Sequence, residues 1–98
     1  MPSRIYWARQ AREDLRGIRA FIAKDAPATA SAFVRRLRDA VGRLRSFPHL
    51  GQVVPELGRE DIREILRGNY RIIYRGSLSR VDILAVYHSA QLLDETEF

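Results

Sequence analysis

The stretch 67–75, with the sequence RGNYRIIYR, constrains the fold most because it reads as a strand entered through a tight turn. Its side chains alternate with a period of two, which is the signal of a β-strand. The alternation predicts one face with Tyr70, Ile72 and Tyr74 and a second face with Arg71, Ile73 and Arg75. The first face can therefore join a hydrophobic core.

The second face carries two guanidinium groups, on Arg71 and Arg75. Two residues along a strand span roughly 6–7 Å, so these groups repel each other unless an anion lies between them. One interpretation is an anion-binding pair, and the other is a half-solvated face on which the arginine stems cover apolar neighbours. Glu64, from the preceding strand, is expected to lie diagonal to both arginines and to neutralise them.

Two amphipathic helices precede this strand. The first begins at about Ala8, and the second begins after Asp25-Ala26-Pro27 and stops at Phe47-Pro48. A link this short predicts an antiparallel helical hairpin whose shared apolar side covers the sheet. The apolar positions are Ala11, Leu15, Ile18, Phe21 and Ile22 in the first helix and Ala30, Phe33, Leu37, Ala40, Val41 and Leu44 in the second.

Further strands are predicted at residues 4–7, 61–66 and 81–88, with a hairpin turn at Gly68-Asn69. Residues 46–59 are expected to form a loop that Val53-Val54 docks on the core, and residues 89–98 a short helix or tail. In the last strand, one face is predicted to hold Val81, Ile83, Ala85 and Tyr87 and the other Asp82, Leu84, Val86 and His88.

The order of these elements predicts one α+β domain over residues 1–98. A helical hairpin packs on one face of a small, largely antiparallel sheet that includes the N-terminal strand. The second face of the sheet is expected to be uncovered. An open sheet face on a basic protein predicts a binding surface.

Charge and composition limit the partners and the chemistry. The net charge is +5 and the pI about 10.4, with Lys24 as the one lysine, so the partner is expected to be a nucleic acid or an acidic protein. Cysteine is absent and there are two histidines, which predicts no disulfide, no metal cluster and no cofactor. With no long apolar run or signal segment, the expected location is the cytoplasm and not a membrane.

RNA cleavage by attack of the 2′-hydroxyl would need a base, an acid and cations. Arg71 and Arg75 could stabilise charge, and His88 or Glu64 would have to move protons. This set is incomplete, and a histidine near the end of a strand is more often packed or hydrogen-bonded than catalytic. No Ser-His-Asp set, phosphate-binding loop or metal-ligand spacing is visible.

In the order of its motifs the chain resembles the RelE/ParE superfamily of type II toxin–antitoxin toxins. The resemblance covers about residues 4–93, and the motifs together are fairly specific although each is loose. The matching segments are the first-helix pattern AREDL at 11–15, the loop FPHLG at 47–51, Arg63-Glu64, YRIIYR at 70–75 and VDILAVYH at 81–88.

The resemblance implies a small cytoplasmic toxin that a cognate antitoxin holds inactive. Apolar surface beside the helical hairpin is expected to bind an amphipathic, acidic antitoxin segment. The residues assigned to that surface are Leu15, Ile18, Ile22, Phe33, Leu37 and Val41, and those assigned to a binding site on the sheet are Arg63, Glu64, Tyr70, Arg71, Tyr74, Arg75 and His88.

The superfamily divides by target, and this chain is closer to the ParE-like branch, whose members poison DNA gyrase. The alternative is a RelE-like, ribosome-dependent mRNA endonuclease with Arg71, Arg75 and His88 at its site. Ser89-Ala90-Gln91 stands where nuclease members usually carry a further basic or acid–base residue, and Phe98 cannot move a proton. A third hypothesis is an inactive scaffold that only binds the antitoxin.

Overall fold

The computed structural model describes residues 3–94, 96 and 98 and contains one five-stranded sheet and two helices. The elements are β1 (Arg4–Trp7), α1 (Arg9–Ala23), α2 (Pro27–Arg43), β2 (Gln52–Val53), β3 (Ile62–Arg67), β4 (Tyr70–Gly76) and β5 (Arg80–His88). The sheet order is β1-β5-β4-β3-β2, in which β1 is parallel to β5 and the other pairs are antiparallel. The predicted α+β architecture is confirmed.

The hairpin of β3 and β4 has the predicted register. Leu66 lies opposite Arg71, and Glu64 lies opposite Ile73. Gly68 has a φ of +56° at the first of the two turn residues, a conformation that glycine adopts without a steric penalty. The turn sequence therefore sets which side chains share a face of this hairpin.

The main core lies between the helices and one face of the sheet. α2 begins with a proline at its first position, where a proline suits the start of a helix. The helix ends at Arg43, several residues before Pro48, and a turn follows it. The buried residues of this core are Ala11, Leu15, Phe33, Leu37, Ala40, Val41, Leu44, Ile65, Ile72, Tyr74, Val81, Ile83 and Val86. Both helices therefore cover the sheet as predicted.

A β-bulge in β5 changes which side chains face the helices. Tyr74 pairs with Ile83 but Ile73 pairs with Ala85, so Leu84 is an extra residue between them. Ala85 and Leu84 both pack on the second face, while Val86 returns to the helical core. The prediction that Ala85 and Tyr87 share a face with Val81 and Ile83 is wrong, because strict alternation fails at the bulge.

The expectation of an uncovered second face is also wrong. A smaller core of Val54, Ile62, Ile73, Ala85 and Leu93 occupies it, with Leu57, Leu84, Tyr87 and Phe98 packed around its edge. The loop before β3 and the segment after β5 supply the cover. This loop contains β2, a short strand within the predicted loop 46–59.

No α-helix occurs after β5 in the described part of the C-terminal segment, and Glu95 and Glu97 lie outside it. Of the helices within the described ranges, none is long and apolar enough to cross a membrane.

Candidate functional site

Arg71 lies at the centre of the second sheet face and is buried, with 6% of its surface exposed. Its Nε donates to Glu64 Oε1 at 2.6 Å, and its two terminal nitrogens donate to both oxygens of Glu56 at 2.7 and 2.8 Å. Glu64 is brought there by the β3–β4 register, whereas Glu56 reaches it from the loop after β2. We call these three residues the Arg71 cluster.

The charges of the cluster are tightly coupled. Hydrogen bonds from Arg71 lower the pKa of Glu56 from 4.5 to about 2, against the opposing effect of burial. The hydrogen bonds that Arg71 donates to Glu56, followed by the one it donates to Glu64, raise the pKa of Arg71 above its ordinary value. Glu56 and the guanidinium are therefore charged at neutral pH. The hydrogen bond from Arg71 to Glu64 agrees with the interpretation of Glu64 as a partner that neutralises this arginine, whereas Arg75 lies beside Asp61.

The segment after β5 is tied to the same cluster. The Gln91 carbonyl accepts from Arg71 Nη1 at 3.3 Å, and the Leu93 amide donates to Glu56 Oε2 at 3.2 Å. Leu93 itself is 7% exposed and belongs to the smaller core. Arg71 is thus enclosed by protein and is not open to an external anion in this structure.

The other residues predicted for the sheet site have separate environments. Arg75 is exposed and lies 3.5 Å from Asp61, so it does not form a shared anion site with Arg71. Arg63 donates to the Gly51 carbonyl at 3.0 Å and to Glu60 at 2.9 Å. Tyr74 is fully buried, and its hydroxyl accepts from the Gly51 amide at 2.8 Å. Burial raises the pKa of that hydroxyl.

His88 lies on the opposite side of the sheet from Arg71. It pairs with Tyr70, whose ring is 5.6 Å away, and Tyr70 in turn contacts Phe33 at 5.1 Å between ring centroids. Cross-strand partners point to the same side, and this side faces the helices. The structure therefore does not bring Arg71, Arg75 and His88 together as the nuclease hypothesis required.

A groove that the sequence analysis missed runs beside β1. It has a volume of about 890 Å³, and we call it the arginine groove. Its apolar floor and its basic walls come from β1, α1 and α2. The lining residues are Ile5, Tyr6, Trp7, Arg12, Leu15, Arg16, Arg19, Val34, Arg38, Val41, Gly42 and Arg45. The i, i+4, i+7 spacing of Arg12, Arg16 and Arg19 in α1 is the sequence signal that places three arginines on one side of this helix.

The residues predicted for the antitoxin surface lie mostly inside the helical layer. Leu15 and Val41 line the arginine groove, although each is largely buried. Phe33 and Leu37 lie inside the core, with Leu37 at 0% exposure, and Ile18 and Ile22 are half-buried against the same core. These residues form the interior of the helical layer because their apolar side faces the sheet.

Comparisons with known proteins agree with this architecture. The family described as ParE toxin of type II toxin–antitoxin system, parDE, matches residues 5–93. One similar solved structure is the chromosomal ParDE toxin–antitoxin system from P. aeruginosa, with a TM-score of 0.72, 20% identity and coverage of 88% of this chain and 95% of that chain. No curated protein matches the sequence.

A second similar structure is the toxin–antitoxin complex RelBE2 from Mycobacterium tuberculosis. It has a TM-score of 0.58 and 28% identity, and the match covers 90% of this chain and 99% of that chain. The fold is thus that of the RelE/ParE superfamily. The chain belongs to the family of ParE toxins of type II toxin–antitoxin systems, since the family match spans nearly all of it.

The pKa of Glu56 predicts an acid-sensitive contribution to stability. Because the folded-state pKa is depressed from 4.5 to about 2, the contribution is present above pH 4.5 and is lost as the pH falls towards 2. This difference corresponds to about 3 kcal/mol. We expect Glu56→Gln to lower the free energy of unfolding by about that amount at pH 7, and the deficit to shrink towards pH 2, as measured by urea unfolding.

Glu60→Gln provides the matched control, because the Glu60 side chain is 88% exposed in its pair with Arg63. Its effect at pH 7 should stay within about 0.5 kcal/mol. Equal effects of the two substitutions, or a Glu56→Gln deficit independent of pH, would contradict the coupling of Glu56 to Arg71.

Proposed function

We propose that this toxin acts in the cytoplasm as a binding inhibitor of DNA gyrase and is neutralised by a cognate antitoxin. The observation that carries the proposal is the enclosure of Arg71 by Glu56 and Glu64, together with membership of the ParE family. A guanidinium held by two carboxylates is not available to stabilise a phosphorane. Growth inhibition then follows from binding a protein, without a reaction carried out by the toxin.

The contacts of His88 and Glu64 do not support proton transfer beside Arg71. His88 is separated from Arg71 by the sheet, and its Nδ1 accepts from the Ala90 amide at 3.2 Å. Glu64 is buried and already accepts hydrogen bonds from Arg71 and Gln52. General acid–base catalysis needs a group within hydrogen-bond reach of the reacting atom, and these groups are committed elsewhere.

The alternative function is ribosome-dependent cleavage of mRNA. It is favoured by the 28% identity to a chain of the RelBE2 complex over 90% of this chain. In that case Arg71, Arg75 and His88 would form the site, and the cover over Arg71 would have to open on the ribosome. The alternative therefore requires a rearrangement around Arg71.

The antitoxin is proposed to bind at the arginine groove and the neighbouring edge of β1. Among the strands that the structure describes, β1 is an outer one that pairs with β5 alone. The amides of Arg4 and Ala8 donate to the Ser79 and Ile83 carbonyls, so alternation directs the Ile5 and Trp7 amides to the open edge. An extended segment can pair there, and its acidic side chains can contact the groove.

Expression of the toxin alone distinguishes the two targets. We expect induction of the DNA-damage response with intact mRNA, because the proposed target is gyrase, and we expect His88→Ala to remain toxic. His88 is exposed, so the substitution should leave the fold intact. Damage-reporter fluorescence and primer extension on an abundant mRNA, measured in the same culture, provide the two readouts.

Rapid mRNA cleavage that His88→Ala abolishes would instead establish the endonuclease. If the folded protein shows no toxicity, the result would instead support the hypothesis of an inactive scaffold that only binds the antitoxin. Purified toxin that does not inhibit gyrase supercoiling would also count against the proposal.

Charge reversal tests the antitoxin site. Arg16 and Arg19 line the arginine groove, whereas Arg35 and Arg36 are exposed on α2 outside it. We expect Arg16→Glu/Arg19→Glu to weaken antitoxin binding by roughly a hundredfold and to reduce its salt dependence, since attraction becomes repulsion. Calorimetric titration of the cognate antitoxin at two salt concentrations measures both effects.

Arg35→Glu/Arg36→Glu, with the same change in net charge, should keep most of the affinity. If both pairs lose affinity equally, net charge rather than the groove determines binding, and the assignment of the site fails.

A further inference from the structure

The charges of the helical hairpin are segregated in a way that an ordinary solvated surface does not require. Of the described residues that line the arginine groove, five are arginines and none is Asp or Glu. The two helices do carry carboxylates, namely Glu13, Asp14 and Asp39, but all three lie outside the lining. Such separation concentrates positive potential in one concave site, which attracts a polyanion.

Ion pairs do not consume the arginines of the groove. In the described part of the chain, the salt bridges from arginines are made by Arg9, Arg59, Arg63, Arg71, Arg75 and Arg80. None of these lines the groove. The guanidinium groups of the groove therefore keep their hydrogen-bond donors for a ligand.

The arginines form two rows, one on α1 and one that starts on α2 and continues into the turn after it. Arg12, Arg16 and Arg19 follow one side of α1. At 1.5 Å rise per residue this row is about 10 Å long. The second row consists of Arg38 on α2 and Arg45 in the turn that follows α2. Guanidinium groups match the bidentate geometry of phosphate, and rows of this length can contact two or three consecutive phosphates of one strand.

Apolar and aromatic side chains lie between the rows. Ile5, Trp7 and Val41 contribute to the floor. The Tyr6 ring lies on the opposite face of β1 by alternation, with the Arg80 guanidinium 4.1 Å from its centroid. A basic channel with aromatic surface is the arrangement that binds single-stranded nucleic acid, in which unpaired bases stack while the backbone contacts cations. A duplex hides its bases and could use only the arginines.

We propose that the arginine groove of the antitoxin-free toxin binds single-stranded nucleic acid, with phosphates on the two arginine rows and bases on the apolar floor. This ligand goes beyond the proposed function. One consequence rests on that function: the antitoxin segment would occupy the same groove and displace the nucleic acid. Release of the toxin from the antitoxin would then expose the arginine groove to single-stranded DNA or RNA.

Trp7 makes the proposal directly measurable, because it is the one tryptophan of the chain. The probe is a fluorescein-labelled, mixed-sequence 12-nucleotide DNA, titrated with antitoxin-free toxin at several salt concentrations. We expect the anisotropy of the labelled DNA to rise and reach a plateau as toxin is added. An unlabelled strand should quench Trp7 fluorescence over the same concentrations. An RNA of the same sequence and a 12-base-pair duplex show which nucleic acid is preferred, and the single strands should quench Trp7 more than the duplex.

The variant Arg16→Ala/Arg38→Ala removes one cation from each row, and Arg35→Ala/Arg36→Ala is the charge-matched control outside the groove. The groove variant should weaken binding by roughly tenfold and lower the slope of log affinity against log salt by about 1.4, corresponding to two lost phosphate contacts. The control should change neither quantity appreciably. Circular dichroism establishes that both variants are folded.

Equal losses in the two variants, or anisotropy without Trp7 quenching, would overturn the proposal. Polyglutamate that binds and quenches as well as the oligonucleotide would also overturn it, since the groove would then select acidic peptides. These measurements use no antitoxin and no gyrase. A negative result here leaves the proposed function unaffected, and failure of gyrase inhibition leaves this result unaffected.

Discussion

The ion pairs of Arg71 are the interaction on which the second half of the structure depends. One guanidinium joins β4 to Glu64 on β3, to Glu56 on the preceding loop and to the Gln91 carbonyl after β5. Each connected segment also contributes apolar side chains to the smaller core. A buried charge without partners is costly, so these segments have to assemble together around Arg71. The net contribution to stability is smaller than the number of bonds suggests, because desolvation offsets much of the attraction.

The β-bulge in β5 determines which side chains of that strand face the helices and which face the smaller core. It lets Ile83 and Val86 face the helices while Leu84 and Ala85 face the smaller core. The Asp14 carboxylate accepts the Val86 amide at 3.0 Å, which holds α1 against this irregular point. His88 then lies beside Tyr70, away from Arg71. One extra residue thus separates groups that an ideal strand would have placed together.

Much of the fold could be predicted from the sequence because local signals determine it. The Gly68-Asn69 turn predicted the register of β3 and β4, and the helical spacing of apolar residues predicted the covered face. Strict alternation failed in β5, where no glycine or proline marks the bulge. Glu56 was missed because it reaches Arg71 by tertiary packing across 15 residues. The arginine groove was missed because only the packed helices bring Arg16 and Arg38 to one site.

The central claim is that Arg71 is a structural tie and not a reacting group. The most direct test compares Arg71→Met with the triple substitution Arg71→Met/Glu56→Gln/Glu64→Gln, by urea unfolding and by toxicity on expression. Arg71→Met leaves the two carboxylates of the cluster without their cation and should lower the free energy of unfolding by about 3–5 kcal/mol. The triple substitution removes all three charges and should recover most of that loss. We expect the triple variant to be folded and toxic. A triple variant that folds as stably as the wild type but has lost toxicity would contradict the central claim.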